Sequence, residues 1–210
     1  MGEERMKTNP FFDTCRFLFS GGWPSYLFWL LLLGGVVVAV RLYANDSRQR
    51  TVKDVWMCAA RIIVGGMWWQ QTLWKLPPHY TDLPGVPDSG LRHWMIEMVN
   101  NASFSIQSRF VQDIVLPHFR VFAPMVYAIE VFIAISLILG LFTRLGAALG
   151  ALVAVNMWLG LYRAPYAWPW TYFFLIVIQV SFVIFDAGRS LGLDAKFAMV
   201  TSRDWGPLDK

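Results

Sequence analysis

Apolar runs of bilayer length alternate with short polar corners along this chain. The clearest case is EVFIAISLILGLFTRLGAALGALVAVNMWLG, from Glu130 to Gly160: two apolar runs joined at Thr143-Arg144. A helix needs about 20 apolar residues to cross about 30 Å of hydrocarbon. Backbone groups in lipid must be satisfied within their own segment, so each such run predicts a helix. Runs at 24–44, 55–76, 119–142, 145–163 and 168–187 predict five spans. Pro24 fits the first turn of the first span, where its missing N–H is no loss. The second run is the least apolar, with Arg61, Gln70 and Gln71 inside it and Lys75 placed to snorkel at its end. Its Trp68, Trp69 and Trp74 read as an aromatic interface belt.

The connection at 77–118 is the one long one. PPHYTDLPGVPDSG is too rich in Pro and Gly for regular structure. Leu91, Trp94, Met95 and Met98, then Phe104, Phe110, Val111, Ile114 and Val115, recur at helical spacing. They predict two short amphipathic helices that lie on the bilayer or cap the bundle. Phe11, Phe12, Phe17 and Phe19 with Arg16 suggest an interfacial segment in residues 1–23.

Composition agrees with a membrane protein. The 210 residues are 56% hydrophobic, 16% aromatic and 15% charged, against about 25% charged in soluble domains. The net charge of +4 comes without a basic patch of interleaved aromatics, so nucleic acid is not an expected partner. MGEERMKTNP carries acidic residues and no cleavage site follows, which argues against a signal peptide. Lys and Arg crowd the 41–54 loop, the Arg144 corner and the C-terminal tail. The positive-inside rule then puts the C-terminus in the cytoplasm, with the N-terminus and the 77–118 connection outside. Cys15 and Cys58 fall at opposite faces and are read as free thiols.

The candidate chemistry centres on Glu130, deep within the third span. A charge at that depth needs a partner or a function. Arg61 is the basic residue read as deep enough to pair with it, and Gln70 and Gln71 are the neutral alternatives. Two readings stay open: a structural pair that fixes helix register, or a site for a proton or a quinone headgroup. Gly146 and Gly150, with Ala147 and Ala154, form a small-residue packing face, and Gly65-Gly66 suggests another. Asn156 and Gln179 are read as interhelical hydrogen-bond partners. His79, His93 and His118 share the outer connection at spacings that suit no metal site, and no nucleotide, hydrolase or C-x-x-C motif is present.

Three stretches carry a family resemblance: RIIVGGMWWQQTLWKL, EVFIAISLILGLFTR and DAGRSLGLDAKF. In that order they resemble the DoxX/DoxD family of small four-helix membrane proteins. The resemblance spans residues 55–197 and implies an all-α membrane bundle. To this the chain adds an N-terminal transmembrane helix at 24–44, the 1–23 interfacial tail and a C-terminal tail at 198–210. Arg61, Glu130, Arg144, Gly188, Arg189 and Asp194 stand at motif positions. The resemblance further implies a redox-linked protein of a bacterial or archaeal inner membrane, of thiosulfate:quinone oxidoreductase type, that works with other subunits. On that reading Trp68, Trp69 and Tyr127, with Gln70, bind quinone between the second and third spans, while Glu130 and Arg61 handle protons. The competing expectation is a non-catalytic accessory subunit that docks onto a larger complex.

Overall fold

A computed structural model describes residues 22–81 and 90–204, with Phe12, Cys15, Leu18 and Phe19 ahead of them. The expected interfacial segment otherwise lies outside the described residues. Among the described residues the chain is all helix, turn and loop.

Helix α1 spans Trp23–Asn45 and starts on Pro24. Helix α2, Val52–Thr72, starts at a reciprocal cap: Thr51 Oγ1 accepts from Asp54 N and donates to Asp54 Oδ2. A 3-10 turn, Leu73–Lys75, prolongs α2. Helices α3 (Gly90–Asn101) and α4 (Ser105–Phe110) build the long connection, and α4 runs into a π turn at Val111–Val115. Helix α5, Phe119–Leu139, ends on Gly140 at φ 68°, a left-handed stop that glycine adopts without steric cost. Then follow α6 (Thr143–Gly160), α7 (Pro169–Ile184), a 3-10 turn at Ala187–Arg189 and α8 (Leu193–Asp204).

By length and composition α1, α5 and α6 are able to cross a membrane. Helix α7 is apolar but shorter. Helix α5 is the hub, since α1, α2 and α6 all pack on it, and α6 carries α7. The core joins Phe28 and Leu31 of α1, Val64, Trp68 and Trp69 of α2, Ile133, Ala134, Leu137 and Ile138 of α5, and Phe182 of α7. Trp68 and Trp69 are therefore core residues, buried to 2% and 3% exposure. They do not form the interface belt expected from their place near the end of the run, because their face of α2 turns inward.

Small residues allow the close approaches. A Cβ on Gly65 would lie 2.8 Å from Ile138 Cγ1 of α5. On Gly146 it would overlap Ser136 of α5, and on Gly150 Gln179 of α7, so this face of α6 is a two-sided packing seam as expected. Gln179 is fully buried, yet its amide has no hydrogen-bond partner. Asn156 is engaged by the connection, as Gln107 Nε2 donates to its carbonyl at 3.0 Å and its Oδ1 at 3.1 Å. Asn156 thus makes the interhelical bond expected of it, to α4, whereas Gln179 makes none.

The two ends of the molecule differ. At one end, α3 and α4 form a roof. Leu91, Met95, Val111 and Val115 pack on Ala123, Phe119, Phe122 and Val126 of α5. Three polar ties fasten the roof to α6 and the corner after it: Ser103 N to Leu159 O at 2.8 Å, Arg163 N to Asn101 O at 3.0 Å, and Tyr166 Oη to Glu97 Oε2 at 2.5 Å. These helices cap the bundle, one of the two expected modes. At the other end, the α1–α2 loop, the α5–α6 corner and the segment after α7 interlock.

Candidate functional site

Helix α2 presents Arg61, Gly65, Trp68, Thr72 and Lys75 at alternating steps of four and three residues, and all five are buried. This is the 3.5-residue seam of paired helices. It faces α5, where Glu130, Ile133 and Leu137 are buried. The seam is apolar in the middle and ionic at both ends. Arg61 and Lys75 are 14 positions apart, about 21 Å along the helix.

At the roofed end, both carboxylate oxygens of Glu130 accept from Lys75 Nζ. Lys75 and Glu130 are 4% and 3% exposed. Lys75 Nζ also lies 4.5 Å from the Trp74 ring centroid. The ring of Tyr127, one turn before Glu130, meets Tyr80 edge-on at 6.2 Å. Trp74 and Tyr80 pack against the roof. A Lys–Glu pair taken out of water holds together only when both charges stay paired.

The expected pairing of Glu130 with Arg61 is not formed. Arg61 sits at the opposite end of the seam, where Nη1 donates to Leu137 O at 2.6 Å and Nη2 lies 3.6 Å from Cys58 Sγ. Lys75 does not snorkel outward. The roof covers the end of α2 and leaves Glu130 as its buried counter-charge. Gln70 and Gln71 are both exposed, and Gln71 accepts from Trp74 Nε1, so neither amide serves Glu130. Lys75 is the residue missed from sequence. Its signal is the separation of 14 from Arg61, two heptads, which places both on one face.

Arg61 belongs to a tight knot. A Cβ on Gly140 would overlap Arg61 Nη1 and lie 2.6 Å from Gly192 Cα. Asp194 N donates to Gly140 O at 2.8 Å, and the Asp194 carboxylate accepts from Phe142 N at 2.8 Å and Thr143 N at 2.9 Å. Asp194 thus caps the start of α6 from across the chain. A Cβ on Gly188 would overlap Asp194 Oδ2. Of the motif positions, Arg61, Gly188 and Asp194 converge here. Arg144 and Arg189 are exposed, and Arg189 pairs with Asp186 at 2.9 Å.

Trp68 Nε1, Trp69 Nε1 and Arg61 Nε are buried N–H groups without a partner. Outside the spans, burial first and the Glu97 carboxylate second push the Tyr166 phenol up to about 12. Among the described residues no three His, Cys, Asp or Glu side chains gather as a metal site would require.

A family model matches residues 57–163, and its family is DoxX. Searches of curated proteins and of solved structures return no match. The matched half of the chain contains the whole α2–α5 seam with both ionic ends, together with the roof and α6. The chain belongs to the DoxX family.

Proposed function

We propose that this chain is a five-span inner-membrane subunit that works with quinone in a larger oxidoreductase complex, and that Lys75 and Glu130 hold and pass one of the two protons that quinone takes up on reduction, the other coming from water. The observation that carries the reading is the buried Lys75–Glu130 pair on the same α2–α5 seam as the Trp68 indole N–H, which has no partner. An unsatisfied buried donor is costly unless an acceptor completes it. A quinone carbonyl is such an acceptor, and the half-buried ring of Tyr127 offers a stacking face one turn from Glu130. Quinone would supply the two-electron acceptor, taking electrons from a partner subunit and two protons on its oxygens. The chain's part is to hold the headgroup through Trp68 and Tyr127 and to relay a proton through Glu130, with Lys75 stabilising the carboxylate once it has given the proton up. Gln70 is exposed, and Arg61 serves the opposite end of the seam.

Quinone extracted from the full-length chain, purified in mild detergent, tests the proposal. Wild type is expected to carry stoichiometric quinone, and Trp68→Phe several-fold less at unchanged folding. Quinone-free wild type from a quinone-replete membrane would sink it. A second reading has its own observation. Phe104, Ile106 and Phe110 of the roof are exposed, which suits an accessory subunit that docks by this face. Co-purification of a larger subunit, lost on Ile106→Glu while the chain itself remains quinone-free, would favour that role.

A further inference from the structure

The interlocked end opposite the roof carries a surplus of exposed cations. Gln49 Oε1 accepts from Leu191 N at 2.8 Å and Asp54 Oδ1 accepts from Ser190 Oγ at 2.8 Å. These bonds, with the Asp194 cap on α6, bring the α1–α2 loop, the α5–α6 corner and the segment after α7 into one face. Four carboxylates of this face are engaged within it. Asp46 pairs with Arg48, Asp54 with Thr51 and Ser190, Asp186 with Arg189, and Asp194 with two backbone amides. The Asp46 carboxyl is held below its ordinary value by the hydrogen bonds from Arg48, so it stays charged and paired. Arg41, Arg50, Lys53, Arg144 and Lys196 are exposed and face no carboxylate in any ion pair of the described residues.

Directly beside these cations stand exposed apolar side chains: Trp56, Phe142, Leu145 and Phe185. Lys53 Nζ lies 5.9 Å from the Phe185 ring centroid. Exposed cations outside any ion pair, next in sequence to exposed apolar side chains and with Lys53 over the Phe185 ring, match one occupant, a phospholipid whose headgroup is anionic and whose chains run along the helices. A soluble acidic partner would answer the cations and leave the aromatics bare.

We infer that this face is a binding surface for anionic phospholipid, with Lys53 and Arg144 as its central headgroup contacts. The full-length chain is reconstituted in vesicles of phosphatidylcholine containing spin-labelled phosphatidylglycerol or spin-labelled phosphatidylcholine, and the motionally restricted fraction of each is measured. Phosphatidylglycerol is expected to be preferred at least about fivefold, the effect of one cation at an anionic surface. The preference should fall toward unity in Lys53→Gln/Arg144→Gln, and also in wild type at high salt. Equal association of the two lipids would overturn the inference, and so would a double variant that keeps the full preference. The salt series keeps the test decisive if the double variant does not fold. Inorganic phosphate separates headgroup from free anion: millimolar phosphate should not displace the bound lipid, and full displacement would overturn the lipid assignment.

Discussion

The Lys75–Glu130 pair is the residue-scale feature with the largest energetic stake. Both charges have left water, and each is neutralised by the other. Truncating one leaves the other buried and unpaired, which costs about 3–5 kcal/mol, whereas replacing both with apolar side chains is often near neutral. Lys75→Ala should therefore lower the thermal midpoint in detergent sharply, and Lys75→Met/Glu130→Leu should restore most of it. The same double variant separates structure from function. If it folds and keeps whatever quinone the wild-type chain carries, the pair only fixes register. Tyr166 gives a second test on the roof. Its phenol is raised from 10.0 to about 12, so the folded state favours the protonated form. The bond to Glu97 is fully present below pH 10, and it is lost as the pH rises through 12. In an ultraviolet titration of tyrosinate, Tyr166→Phe should remove one late-ionising phenol and leave the earlier ones in place.

At the scale of elements, the helices were legible because their apolar runs are long and their ends carry ordinary punctuation. Pro24 opens α1, Gly140 stops α5 and Gly160 closes α6 within a few residues of the expected bounds. The period of α2 was legible too, and it held the information that Arg61 and Lys75 share a face. Their partners were hidden because partner choice depends on where α5 lies along α2. Antiparallel packing sets Gly65 against Ile138 and so brings Glu130 level with Lys75 and far from Arg61. The roof then makes the end of α2 an interior position, which no property of α2 alone reveals. Helix α8 was unread because its place depends on Asp194 reaching back to cap α6. That knot makes Gly140 the least replaceable position of the corner. Its φ of 68° disfavours any side chain, and a Cβ would meet Arg61 and Gly192. Gly140→Ala combines the left-handed penalty of about 1–2 kcal/mol with that overlap. It should cost clearly more stability than Gly34→Ala, where a Cβ would meet only Leu139 Cδ2 at 3.7 Å. Equal thermal midpoints for the two variants would show that the knot yields without cost.

The whole molecule is polarised, and the polarity makes its orientation testable. The roof, the ion pair and the ends of α2 and α6 lie on one side, while the exposed cations and the Arg61 knot lie on the other. Positive charge is retained on the cytoplasmic side of a membrane. The cationic face should therefore be cytoplasmic, and the roof, together with the N-terminal side of α1, should face outward. The chain's own thiols suit the measurement, for Cys15 is exposed ahead of α1 and Cys58 is buried beside Leu191. In intact cells a membrane-impermeant maleimide should label Cys15 without permeabilisation and leave Cys58 unmodified until the protein is denatured. In a Cys15→Ser background, Lys53→Cys should react only after the membrane is opened. This requires five crossings, because α2 and α7 must both return the chain although neither meets the length and apolarity of α1, α5 and α6. Labelling of both sites from the outside would remove one crossing from the count. Labelling of Lys53→Cys alone from the outside would invert the molecule. The roof and the ion pair would then face the cytoplasm.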